Sequence, residues 1–268
     1  MALLLCGKRA RSPFCFEKLN LRFYSLEEIV YCIRRYPLIA VDGLAGEGLI
    51  QWLREEEVSP PLAGDLEKEI AAGTGRENLL LKIVQSANYL TPEEIRDLGT
   101  VMLGIRRMKP RERAEETGKM YLEAGRYQSA YEKFAEALKL LDREPVPEGD
   151  ELEQDIRRAD RAELLCDMAA VSMLRFDPQN ALRLLEEADR AGRFKRAEVY
   201  RYLITGESQL SREEQEELTD RKRRLEMKIR GSSKVKKIME LSAGDYAAFS
   251  SFAGATLEEW KREYRRMV

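Results

Sequence analysis

Apolar residues recur at three- and four-residue intervals along most of the chain and alternate only near its start, which predicts many short amphipathic helices after a small β element. The first apolar run, residues 3–6, reads as a short buried strand. In 13–24 (PFCFEKLNLRFY), Phe14/Phe16 and Leu21/Phe23 alternate with polar positions, as in two half-buried strands joined near 18–20. Ser25-Leu-Glu-Glu28 then supplies a capping box, with Tyr24 and Ile29 placed as a hydrophobic staple. It predicts a helix over 26–35 that stops before Pro37. Leu49, Trp52 and Leu53 share one face of a short helix, and Pro60-Pro61 marks the next boundary. Helices follow over 62–70, 76–88 and 91–107. The second buries Leu79, Leu80, Ile83, Val84 and Ala87, and the third starts with Thr91 as N-cap and Pro92 at its first helical position.

Residues 111–141 (RERAEETGKMYLEAGRYQSAYEKFAEALKLL) predict two helices folded back on each other. The first presents Ala114, Gly118, Tyr121 and Leu122; the second presents Ala130, Phe134, Ala137, Leu138 and Leu141. Between them Gly125 can take the left-handed conformation that ends a helix, so the chain reverses within a few residues. Lys109-Pro110 is the natural seam before this hairpin. The reading is therefore an N-terminal domain over 1–108, with short strands and about five helices, and a helical array over 109–268.

These residues resemble the tetratricopeptide repeat (TPR), a helix-turn-helix that stacks into a solenoid. With Arg111 as repeat position 1, Gly118, Tyr121, Ala130, Phe134 and Ala137 stand where the family has Gly, Tyr, Ala, Phe and Ala. Ala114 replaces the family's first aromatic and Asp142 its terminal proline. A degenerate second unit places Leu165, Ala169, Ala181, Leu185 and Ala188 on the same pattern, with Asp177 as N-cap and Pro178 opening its second helix. Gly192 reads as a helix stop between units. Residues 193–268 read as two further helical hairpins without clear signatures, with a turn at 241–246 and a capping box at Thr256. The last helix would line up Leu257, Trp260, Tyr264 and Met267. The expected fold is mostly α, an irregular TPR-like helical-hairpin solenoid with a small N-terminal β element. The layout as a whole resembles uncharacterised bacterial TPR-like proteins, a likeness that implies no activity.

Charge changes this picture little. Asp, Glu, Lys and Arg make up 35% of the 268 residues, yet 46 basic against 48 acidic side chains leave a net charge of −2, so no global field draws the chain to nucleic acid or anionic lipid. Histidine is absent, which removes the commonest general base, the usual catalytic triads and most zinc sites. Cys6, Cys15, Cys32 and Cys166 lack CxxC spacing and read as reduced thiols of a cytoplasmic protein. The start, MALLLCGKRAR, has too short an apolar run for a secretion signal, and its positive charges follow that run instead of preceding it. No stretch approaches the ~18 apolar residues of a membrane span.

The glycines of 42–48 (DGLAGEG) are spaced GxxGxG, not as in a phosphate-binding loop, and read as an inter-helix turn. No catalytic residue, cofactor or metal ligand is nominated. In the TPR family the first helices of successive repeats line a concave groove that holds a peptide. That resemblance implies groove positions at Glu115, Lys119, Leu122, Cys166, Ala170, Met173 and Leu174, with Glu112, Glu123 and Glu163 beside them. Glu115 occupies the first lysine position of the carboxylate-clamp subclass and Asp167 one of its asparagine positions, which disfavours binding of a C-terminal carboxylate. Such a groove is acidic at one end and apolar at the other and suits a partner with basic and hydrophobic side chains. The expectation is a non-enzymatic adaptor that binds a protein or peptide. The alternative is a TPR-containing regulator that contacts nucleic acid through 221–237, where nine basic residues, among them Arg221, Arg223, Arg224 and Lys228, meet one acidic residue. Five acidic residues over 212–220 precede that segment, an order that also suits a solvated helix.

Overall fold

The computed structural model describes residues 8–145, 151–192, 194–207 and 210–230. The strand expected at 3–6, the turn at 241–246, the capping box at Thr256 and the last helix lie outside the described residues. Those described are mostly helical, with twelve helices and one two-stranded antiparallel sheet. They fall into two compact units, the first ending at Glu207.

The chain enters through the expected hairpin. Strand β1 (Phe14–Phe16) pairs with β2 (Leu21–Phe23), Phe14 opposite Phe23 and Phe16 opposite Leu21. Alternation sends Phe16 and Phe23 into the core and leaves Cys15 and Arg22 outside. The Phe14 ring lies 6.0 Å from that of Trp52, whose indole N–H donates to the Ser12 carbonyl at 2.8 Å.

Helix α1 (Leu26–Arg35) starts where its capping box predicts: the Ser25 hydroxyl accepts from the Glu28 amide, and the Glu28 carboxylate accepts from the Tyr24 amide. Pro37 does more than end it. It opens a second helix, α2 (Pro37–Val41), all five of whose residues are buried. Its period is hidden because every face is apolar, and it packs against α1 and the later helices α5, α6 and α7. The inter-helix turn expected over 42–48 ends earlier, at 46, because Glu47 and Gly48 already belong to the next helix. The next helices are α3 (Glu47–Glu55), α4 (Pro60–Ala71), α5 (Arg76–Ser86) and α6 (Pro92–Arg107). The N-terminal part thus has six helices where the sequence suggests about five. Pro60-Pro61 and Pro92 sit in first turns, where a missing N–H costs nothing, and Thr91 and Glu94 close a full capping box.

Helices α7 (Pro110–Glu123) and α8 (Tyr127–Arg143) form the hairpin read from the sequence. Ala114, Gly118, Tyr121, Ala130, Phe134, Ala137 and Leu141 are buried in it; Leu122 and Leu138 are half-buried. A Cβ on Gly118 would sit 2.8 Å from the Phe134 ring, so glycine is required for this approach. Helices α9 (Glu151–Leu174) and α10 (Pro178–Ala191) form a second hairpin, with Leu165, Ala169, Ala181, Leu185 and Ala188 buried and Asp177 accepting from the Asn180 amide at 3.0 Å. Helix α8 packs on α9, and α11 (Lys195–Thr205) packs on both α9 and α10. Lys109-Pro110 lies inside the first unit: α2 packs on α7, Arg113 pairs with Asp42 at 2.8 Å, and Arg35 pairs with Glu123 at 3.2 Å. Helix α12 (Arg212–Arg230) belongs to the second unit.

The two hairpin turns are built alike. After α7, the Gly125 amide donates to Leu122 and the Arg126 amide to Tyr121; after α9, the Phe176 amide donates to Met173 and the Asp177 amide to Ser172. Both are Schellman turns with a left-handed residue, Gly125 at φ +69° and Phe176 at φ +60°. Phenylalanine at that φ is strained, and its side chain is 94% exposed, so packing does not offset the strain. Phe176→Gly should therefore stabilise the chain by about 0.5–1 kcal/mol after the entropic cost of glycine. Gly118→Ala should destabilise it by about 1–3 kcal/mol despite alanine's better helix propensity. Urea denaturation followed by circular dichroism checks both signs.

Candidate functional site

Among the described residues, side chains from three alternating helices meet at a cleft of about 400 Å³. Glu115 and Lys119 come from α7, Asp160, Glu163 and Asp167 from α9, and Arg196 from α11. Core packing positions each helix. On α7, Ala114, Gly118 and Tyr121 face α8, which turns the adjacent positions 115 and 119 toward the cleft. On α9, Ala162, Leu165 and Ala169 are buried, and 160, 163 and 167 lie along another face.

Three cations in and beside the cleft are each shared by two carboxylates. Lys119 bonds Glu115 and Glu116, both at 2.8 Å. Arg196 reaches from α11 to Glu163 and Asp167 on α9, and its Nε donates to the Tyr200 hydroxyl at 3.2 Å. Arg111 bonds Asp160 at 2.8 Å and Glu144 at 3.4 Å. Six carboxylates share these three cations, and the lining of the cleft itself holds four carboxylates against two cations.

The ionisations follow. Burial works against the charges of Lys119 and Arg196, but the hydrogen bonds they donate and the charges of their carboxylate partners hold both above their ordinary values. Burial raises the Asp167 carboxyl above its ordinary value, with the attraction of Arg196 opposing it. The partners of this pair differ because Asp167 is the more buried of the two, its side chain 13% exposed against 35% for Arg196.

Of the residues nominated from the sequence, Glu115 and Lys119 line the cleft. Leu122 is half-buried against the core, and Ala170 is half-buried. Met173 and Leu174 are 37% and 46% exposed near the C-terminal end of α9. Cys166 requires a correction: it is 1% exposed, packed within the core instead of lining the groove, and burial pushes its thiol up to about 12. Position 166 follows Leu165 around the helix into the core, which a carry-over from a repeat template does not resolve. Asp160 and Arg196 escape the sequence reading. Asp160 is recoverable from its spacing of three before Glu163; Arg196 is not, because α11 carries no repeat signature.

On α12, Arg221, Arg223 and Arg224 are exposed, and Arg223 lies 3.7 Å from Asp220. The side chain of Lys228 lies outside the described residues. No helix among the described residues is long and apolar enough to cross a membrane, and they hold no group of three or more Cys, Asp or Glu side chains arranged for a metal ion. The chain matches no protein-family model, and neither curated proteins nor solved structures show a significant similarity to it.

Asp167 gives the cleft a pH signature. Its folded pKa lies above its unfolded one, so the folded state holds the extra proton in that window and stability falls as pH rises through it. Asp167→Asn cannot titrate, so its stability relative to wild type should rise as pH increases from the ordinary aspartate range upward. Guanidinium denaturation across that range checks the sign. A mass-spectrometric alkylation map should show Cys15 labelled in the native protein, and Cys32 and Cys166 labelled only after unfolding.

Proposed function

We propose that this protein is a non-enzymatic, TPR-like adaptor whose α7, α9 and α11 present a groove for a segment of another protein. The observation that carries the reading is the cleft itself, which draws its lining from alternating helices of a run in which α7 and α9 each begin a hairpin. In the TPR family, the first helices of the hairpins form the binding face. The buried pattern of Gly118, Phe134, Ala137 and their counterparts on α9 and α10 supports the same reading. A cleft of about 400 Å³ suits a few side chains of an extended peptide. The thiols of Cys15, Cys32 and Cys166 are free, in keeping with a reducing cytoplasm.

Binding here requires no bond making. The ion pairs between Arg196 and α9 fix α11 against it, so the face is pre-organised and an incoming segment meets a set geometry. Glu163→Lys combined with Met173→Asp should abolish retention of one protein in a pull-down while leaving the helical circular-dichroism spectrum intact. If every protein retained by the wild type is also retained by the folded double variant, the groove assignment is wrong.

A further inference from the structure

One face of α9 carries more information than the cleft alone. Ile156, Asp160, Glu163, Asp167, Ala170 and Leu174 recur at alternating intervals of four and three, which places them in one stripe along the helix. The middle three are the cleft carboxylates. Beyond them the stripe turns apolar, with Ala170 half-buried, Leu174 46% exposed and the neighbouring Met173 37% exposed. The face is thus acidic in the middle and apolar toward its C-terminal end.

We infer that this face selects an extended segment with arginine or lysine in the cleft and an apolar side chain about three residues away, over Ala170 and Leu174. The inference rests on the groove reading proposed above. Charge decides the first half. With six carboxylates on three cations, a further cation relieves the repulsion among the carboxylates, and an anion meets an unfavourable potential. A carboxylate accepts from several donors at once, so Glu163 and Asp160 can bind a guanidinium without releasing Arg196 or Arg111. Burial, and to a lesser degree the neighbouring Glu163, work against the charged form of Asp167, so a bare carboxylate on this face is costly.

Spacing decides the second half. Glu163 and Ala170, where the apolar stripe begins, are seven residues apart, a rise of about 10 Å along the helix. An extended chain advances about 3.3 Å per residue, so three residues cover that distance in either chain direction.

The test uses the full chain and a fluorescein-labelled peptide, Gly-Arg-Arg-Ala-Ala-Leu-Gly, followed by fluorescence anisotropy. Replacing both arginines by glutamate, or the leucine by serine, should each weaken binding about tenfold or more. Binding of the parent peptide should fall with added salt. Asp160→Asn with Glu163→Gln should erase the preference for arginine, and Leu174→Ser should erase the preference for leucine while keeping that for arginine. Both variants change partly exposed side chains, and circular dichroism verifies their fold. A parent peptide no tighter than its glutamate form overturns the inference, as does spermine that binds as well as the peptide. A random-peptide selection on the same protein separates the two levels. Enrichment of non-basic sequences that Glu163→Lys/Met173→Asp no longer retains overturns the basic preference and leaves the groove standing; no enrichment removes both.

Discussion

The close approach of Gly118 on α7 to the Phe134 ring on α8 fixes what α7 can present. A methyl group at 118 would sit 2.8 Å from the ring, so only glycine lets the helices close to this distance. With Ala114, Thr117, Gly118 and Tyr121 committed to the core, the roll of α7 is set, and Glu115 and Lys119 fall on the cleft side. Thr117 is accommodated there because its hydroxyl donates to the Arg113 carbonyl at 2.7 Å. From the N-terminal side, the buried α2 packs on α7, and Asp42 accepts from Arg113. The hairpin is held between two layers and does not stand as a free repeat.

Arginine does much of the joining between helices. Arg157 of α9 donates to the carbonyls of Leu141 and Glu144 at the C-terminal end of α8, where helix carbonyls run short of intrahelical donors. Arg161 bridges Asp142, at the same end of α8, and Glu187 on α10. Arg196 ties α11 to α9. Most of these pairs are part-exposed, so each contributes modestly to stability; their larger effect is geometric, since a planar fork bonding two carboxylates fixes orientation as well as distance. The same economy of cations leaves the cleft with more carboxylates than partners and gives its face a preferred sign of ligand.

Much of the fold was legible because the elements carry local signals. Ser25–Glu28 and Thr91–Glu94 define helix starts by their own hydrogen bonds, and alternating phenylalanines define the hairpin. Helix α2 was not legible: PLIAV is apolar on every face, so periodicity says nothing, and only its burial among four other helices shows its role. The cleft was half legible. Glu115 and Lys119 follow from the repeat-like pattern of α7, whereas Cys166 was misplaced and Arg196 missed, since both depend on how α9 meets its neighbours.

Sequence alone determined the amphipathic helices, their caps, the reversal at Gly125 and the small residues that permit close packing, because each depends on interactions within a few positions of the chain. Tertiary structure decided that Arg196 is shared by Glu163 and Asp167, that Arg111 is shared by Asp160 and Glu144, and that α11 completes the cleft. Those outcomes join residues tens of positions apart, and their energies depend on distance and burial, quantities that exist only once the helices have packed.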